Sequence, residues 1–447
     1  MQGNSYDPKN PAWGRFTVSE HIHLNPGSKS PGIHRIQFRA PDGYPKIGYA
    51  SICDWSRARA KNQDFEINSV AEPGPGVNYW PGSILNVRPV LGRKEALALT
   101  ELVDTTPEEI VEIDGQRISV LEIIATRFDN SGPVKPGFIK ALSKLAPNSK
   151  ILDAIKGADR EGKTQFGTSL DVMQSVFGES RVRLPLDEMI KACKRPITCR
   201  RYTIASHSLH SDNIELIVVE ATAKMASGRI DRGICSAMLA ECKVGDIVDA
   251  QVMVKPDYPP LDPETKTVFL FGRGSGYSGL PHFAWDAIKR HKDAEIILAT
   301  GGTTIKELAN LEELEALSQA GVQIVAALRE PETAREYLSA NPNTKIHFVG
   351  KPIEQTMEVP KVADGLMKAM REGEARICGG PGPTGALTDW LMATERIKLY
   401  PEAEEMYNKY SPEGPHKGDK AKALRRHCMK AMEVQGEFRG KVFVDVF

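Results

Sequence analysis

The spacing of apolar positions changes twice along this chain, and each change predicts a different kind of structure. Over the first ninety residues, short runs such as Ile33 to Phe38 and Ile84 to Val87 alternate with turn chemistry, Pro41-Asp42-Gly43 and Pro81-Gly82. Short β-type runs bounded by proline, glycine and aspartate are the pattern of antiparallel strands. From about Arg93 to Ile190 the period becomes helical, and Thr105-Thr106-Pro107-Glu108-Glu109 supplies a capping threonine and a first-turn proline before acidic residues. Strand texture resumes in Tyr202 to Ser206, Ile214 to Val219 and Ile247 to Val252. The pattern predicts an antiparallel barrel interrupted by a helical insertion.

Beyond Pro259-Pro260-Leu261-Asp262-Pro263, a stiff linker, buried-type strands follow at Val268 to Phe271, Ile296 to Ala299, Val322 to Ala327, Ile346 to Val349, Ala375 to Cys378 and Lys441 to Val446. Helical stretches, Ile305 to Ala320 and Val359 to Arg371 among them, fall between these strands. Buried strands separated by helices predict a doubly wound parallel sheet, with ligands at the carboxyl ends of the strands. The expectation is a multi-domain α/β chain. Residues 1–92 and 195–262 supply the two parts of the barrel, 93–194 the helical insertion and 263–447 the parallel sheet.

Composition narrows the function. At 447 residues the chain is too long for one compact core, and its 58 Lys plus Arg balance 58 Asp plus Glu. No overall field draws it to nucleic acid or an anionic membrane, so anion binding must be local. Met1 to Phe16 is polar and proline-bearing, and no apolar run approaches the twenty or so residues of a membrane span. Seven cysteines, an odd number without a Cys-x-x-Cys pair, argue against a disulfide framework, a zinc site or an iron-sulfur cluster. The expectation is a soluble cytoplasmic protein with reduced thiols and no metal.

Several short stretches carry candidate chemistry. Arg200, Tyr202 and Thr203 offer a guanidinium for a diphosphate, a ring to lie against an isoalloxazine and a hydroxyl for its reactive edge. Gly233, Ile234, Cys235 and Ser236 form a glycine-opened helix start. Gly272, Gly274, Ser275 and Gly276 follow directly on a strand, where backbone N–H groups can approach a phosphate. Arg329 and Arg335 suit a 2′-phosphate, and Tyr337 suits adenine. Cys378, with Gly379 and Gly380, stands at the end of another strand, and the chain ends on Asp445, Val446 and Phe447. Each stretch also has a plainer reading: an ordinary strand, a tight turn, solvated helix charges, a packing tyrosine, a core thiol, an edge strand.

The order of these stretches resembles the ferredoxin-NADP(+) reductase superfamily, most closely the FAD/NADPH reductase module of two-flavin reductases. The resemblance is carried by residues 195–447, by a 93–190 insertion similar to that branch's connecting domain, and by Asn78 to Ile84, similar to an early barrel strand. It implies that Arg200, Tyr202 and Thr203 bind FAD and that Gly233 to Ser236 hold its diphosphate, with Ser236 giving its hydroxyl. It also implies that Thr203, Cys378 and Asp445 surround the hydride path under a covering Phe447. Departures stand at Tyr277 to Pro281, at Leu328 in place of the serine before the arginine, and at Arg335, one position from the family's lysine. The FMN domain that normally precedes the module is not in the sequence. The resemblance therefore implies an FAD-dependent oxidoreductase taking hydride from NADPH, with NADH as the alternative donor. The expected electron acceptor is a separate flavodoxin, ferredoxin or metalloprotein, a partner subunit included. Direct flavin reduction of a small organic substrate, or a reductase-derived subunit without catalysis, are the alternatives.

Overall fold

The computed structural model describes residues 11–28, 31–45, 79, 81–131, 134–157, 167–207, 211, 213–224, 230–253, 261–262, 265–291, 293–308, 310–379, 381–393, 405, 409 and 442–446. Met1–Leu85, Tyr202–Ile217 and Gln251–Phe447 make one compact unit, and Asn86–Arg201 with Val218–Ala250 make a second.

Six strands form one sheet in the order Arg200–Thr203, Ile84–Val87, Ile247–Met253, Gly14–His23, Ile33–Arg39, Ile214–Val219. Gly14–His23 and Ile33–Arg39 pair antiparallel, with a bulge between Val18 and Glu20. Phe16, Val18, Ile36 and Phe38, alternate positions along their strands, are all buried. The turn at Pro41-Asp42-Gly43 forms as expected: Tyr44 N–H donates to the Pro41 carbonyl, and Gly43 takes a left-handed φ of 74°.

The second unit contains the helices Arg93–Thr100, Val120–Arg127, Pro136–Leu145, Lys150–Gly157, Ser169–Ser180 and Leu186–Ala192, packed around Leu99, Ile124, Leu142, Leu152, Val172 and Met189. Ser169–Ser180 opens on a capping box in which Thr168 and Asp171 bond each other's backbone. The helix start expected at Thr105 does not form. Ile110–Ile113 and Gln116–Ser119 make a hairpin instead, turning on Asp114 and Gly115 with φ of 53° and 74°. An Asp-Gly pair between β-branched runs outweighs the capping signal upstream, because both residues adopt the positive φ that a two-residue hairpin turn requires. The helix begins one element later, capped by the Ser119 hydroxyl.

The parallel sheet has six strands in the order His347–Val349, Gln323–Leu328, Glu295–Gly302, Thr267–Arg273, Glu374–Gly379, Val442–Val446. Every pairing in it is parallel. Its core includes Phe269, Phe271, Ile297, Val325 and Ile377. The expected helix from Ile305 to Ala320 is broken: a short turn covers Ile305–Glu307 and the helix proper is Leu311–Gln319. Asn310 causes the break, taking a φ of 55° and accepting the Glu313 N–H on its side chain as a new cap. No helix among the described residues is long and apolar enough to cross a membrane.

Candidate functional site

Strand order locates the crevice. The chain enters the parallel sheet at Thr267–Arg273, proceeds to Glu295–Gly302 on one side, and later returns at Glu374–Gly379 on the other. The direction of winding reverses there, which makes the carboxyl ends of these two strands the expected ligand position. Gly272 is level with Cys378, and Cys378 with Asp445, so the three lie in one row across adjacent strands.

The glycine loop packs directly onto that row. A Cβ built on Gly276 would stand 2.4 Å from the Cys378 carbonyl oxygen, and one on Gly272 would stand 2.8 Å from the same atom. Both positions therefore require glycine for close backbone approach. Gly274 has a φ of 59° and begins a turn of 3₁₀ helix, Gly274–Tyr277. The Leu280–Arg290 helix follows, with Gly279 at its N-cap and no side-chain cap. A Cβ on Gly279 would lie 2.6 Å from the Thr203 methyl. One loop thus meets Thr203 at Gly279 and Cys378 at Gly276.

Tyr277, part of the departure at Tyr277 to Pro281, is 1% exposed, and its hydroxyl has no hydrogen-bond partner among the described residues. Burial, then the charges of Glu313 and Glu215, push this phenol well above its ordinary value. Behind the loop lies a polar cluster: the His207 and His282 rings meet edge to face at 4.8 Å, and His207 Nε2 is 3.9 Å from Asp286. His282 and Asp286 stand four residues apart on the Leu280–Arg290 helix, but His207 is distant in sequence, so the cluster is not visible as a motif.

In the second unit, Gly233 opens the Ile234–Glu241 helix without a side-chain cap. Ser236 is 5% exposed. Its hydroxyl accepts the Ala221 N–H at 3.0 Å and donates to the Gly233 carbonyl at 3.1 Å. Gly233 N–H completes the turn by donating to the Ala221 carbonyl. The one donor hydrogen of Ser236 is thus engaged in holding the turn. Ile234 and Cys235 are buried. Arg200 donates through Nη1 to the Thr198 carbonyl.

Arg329 lies just past the Gln323–Leu328 strand, half exposed, with Nη2 3.4 Å from Glu354; Arg273 reaches the same carboxylate at 3.4 Å. This shared acidic partner was not foreseen. Arg335 is exposed at the start of the short Arg335–Ala340 helix. Tyr337 donates to Glu315 at 2.8 Å and packs edge to face on Phe348; burial, then the Glu315 bond, push its phenol up to about 12. The side chains of Ser275 and Asp445 and the whole of Phe447 lie outside the described residues.

No protein-family model matches the chain. It is 24% identical over 230 residues to the sulfite reductase [NADPH] flavoprotein alpha-component of Bacillus subtilis (strain 168), a match covering 50% of this chain and 37% of that protein. The alpha-component of Aliivibrio fischeri is 24% identical over 238 residues, covering 53% and 38%. That of Vibrio parahaemolyticus is 22% identical over 239 residues, covering 53% and 37%. The chain therefore spans well under half the length of these relatives. Over the matched half of its own length, it is a homologue of the NADPH sulfite reductase flavoprotein alpha-component, in keeping with its resemblance to the ferredoxin-NADP(+) reductases.

Proposed function

We propose that this chain is an FAD-dependent oxidoreductase that takes hydride from NADPH and delivers electrons to a separate acceptor protein. The observation that carries the reading is the glycine loop at the switch point, which meets Thr203 at one end and Cys378 at the other. Glycine at 272 and 276 lets the loop close onto the Cys378 strand end, and Gly274, with nothing within 4 Å of its Cβ position, leaves the loop backbone open to a dinucleotide phosphate, which suits the nicotinamide donor. The uncapped helix start at Gly233 suits a diphosphate, with its first-turn amides and positive dipole end. When bound, flavin supplies the chemistry, taking two electrons as hydride and releasing them singly.

The chain's own groups bind and orient. Arg200 would pair with phosphate oxygens of the bound flavin, and Tyr202 would supply a ring against the isoalloxazine. Thr203, its methyl against Gly279, holds its hydroxyl at the ring's reactive edge. Cys378, 3% exposed at the end of its strand, would bring a small thiol to the hydride path. Ser236 keeps the Gly233 turn in shape, and its remaining lone pair is an acceptor, so the turn's amides rather than its hydroxyl face the diphosphate. Arg329 favours a 2′-phosphate once Glu354 is drawn off or shared with Arg273.

The test is anaerobic titration of the FAD-reconstituted protein with NADPH and with NADH, followed by flavin absorbance. Bleaching by NADPH at lower concentration than by NADH is expected. A protein that stays colourless after incubation with FAD would sink the proposal.

A further inference from the structure

The second unit contains a cavity of about 530 Å³ that the flavin and nicotinamide residues do not line. Phe128 and Phe138 meet edge to face on its apolar side, ring centroids 5.4 Å apart, with buried Ile197 beside them. Its rim is cationic. Arg127 pairs with Asp114 at 2.9 Å, Lys135 with Asp129 at 3.3 Å and Lys191 with Glu188 at 2.6 Å. Burial opposes ionisation of Asp129, but hydrogen bonds from Ser131 and the charge of Lys135 outweigh it and hold the carboxyl below its ordinary value. Those pairs cancel, leaving Lys194 and Arg195 exposed and without an ion-pair partner among the described residues. The first turn of Pro136–Leu145 lines the same space, and a Cβ on Gly137 would meet nothing within 4 Å.

We propose that this cavity binds a small aromatic anion, its ring against Phe128 and Phe138 and its phosphate or carboxylate on Lys194 and Arg195. A volume in this range accommodates one or two rings with a charged head, and an aromatic wall beside convergent cations is the usual division of labour in such sites. Phe128 and Phe138, 4% and 8% exposed, supply the apolar wall, and an arginine fork suits either head group. Thr198 also lines the space, and its carbonyl accepts from Arg200, which does not line it. The cavity therefore adjoins the flavin-type strand without being part of it.

Calorimetric titration of the full-length protein with phenyl phosphate, benzoate, phenol and inorganic phosphate tests this. At least one aryl anion should bind about tenfold more tightly than both phenol and inorganic phosphate, and the stronger of the two identifies the head group. The double variant Lys194→Glu/Arg195→Glu should weaken that binding at least tenfold, and Gly137→Leu, which fills open space, should block it with circular dichroism unchanged. Inorganic phosphate or phenol binding as well as the better of the two aryl anions, or unaltered affinity in both variants, would overturn the proposal. The wild-type ranking alone decides the matter if a variant fails to fold.

Discussion

Gly233 and Gly279 each open a helix without a side-chain cap, and the glycines that shape the turns leading into them are required for different reasons. At Gly233 a Cβ would approach side chains, Ala221 Cβ at 3.0 Å and Ser236 Oγ at 3.1 Å, in a turn whose shape is kept by a hydroxyl. In the 272–279 loop the obstacles at Gly272 and Gly276 include the Cys378 carbonyl, held in a parallel ladder. Side chains yield by a few tenths of an ångström; ladder backbone does not. The first turn is adjustable, whereas the second is fixed by the sheet, and that fixity is what a hydride site needs, because misplacement of reacting groups costs rate steeply.

The comparison breaks most readily at Gly276. Gly276→Ala places a methyl against the Cys378 carbonyl and should destabilise the protein by about 3 kcal/mol, read as a lower urea midpoint, with Gly233→Ala costing clearly less. Equal costs at the two positions would remove the distinction. Ser236→Ala leaves the Ala221 N–H without its acceptor and should cost about 1–2 kcal/mol, while sparing the parallel sheet in hydrogen exchange.

How much of this was legible in the sequence follows the range of the interactions concerned. Strands such as Ile84–Val87 and Ile214–Val219 appear where the apolar runs stand, because their burial is written in consecutive residues. The 105–109 segment misled because its capping signal is local and real, yet Asp114-Gly115 downstream closes a hairpin that consumes the segment's neighbours. Asn310 ended a continuous helical pattern through a cap the period does not register. Gly279 was visible only as a departure from a family pattern. Its contact with Thr203 depends on how two distant segments pack, which no spacing encodes.

Smaller effects sharpen the nicotinamide side. Arg329→Ala should reduce the preference for NADPH over NADH about tenfold, or roughly 1.4 kcal/mol, in the ratio of dissociation constants. An unchanged ratio would assign the 2′-phosphate elsewhere. Tyr277→Phe removes a buried hydroxyl with no partner among the described residues and should stabilise the protein by about 1 kcal/mol. The gain should widen in alkali. The folded-state phenol is raised above its unfolded value near 10, so the native state keeps its proton while the unfolded state loses it. The contribution of Tyr277 to stability is therefore intact below about pH 10 and is lost as pH rises above it, and Tyr277→Phe escapes that part of the alkaline fall.

The central claim is that Thr203 and Cys378, joined through the glycine loop, orient hydride transfer rather than merely hold the fold. Stopped-flow reduction of the FAD-loaded Cys378→Ala protein by NADPH tests it most directly. Full flavin content with a reduction rate lowered at least about tenfold, equivalent to some 1.4 kcal/mol of barrier, is the predicted result. Full flavin content with an unchanged rate would contradict the account.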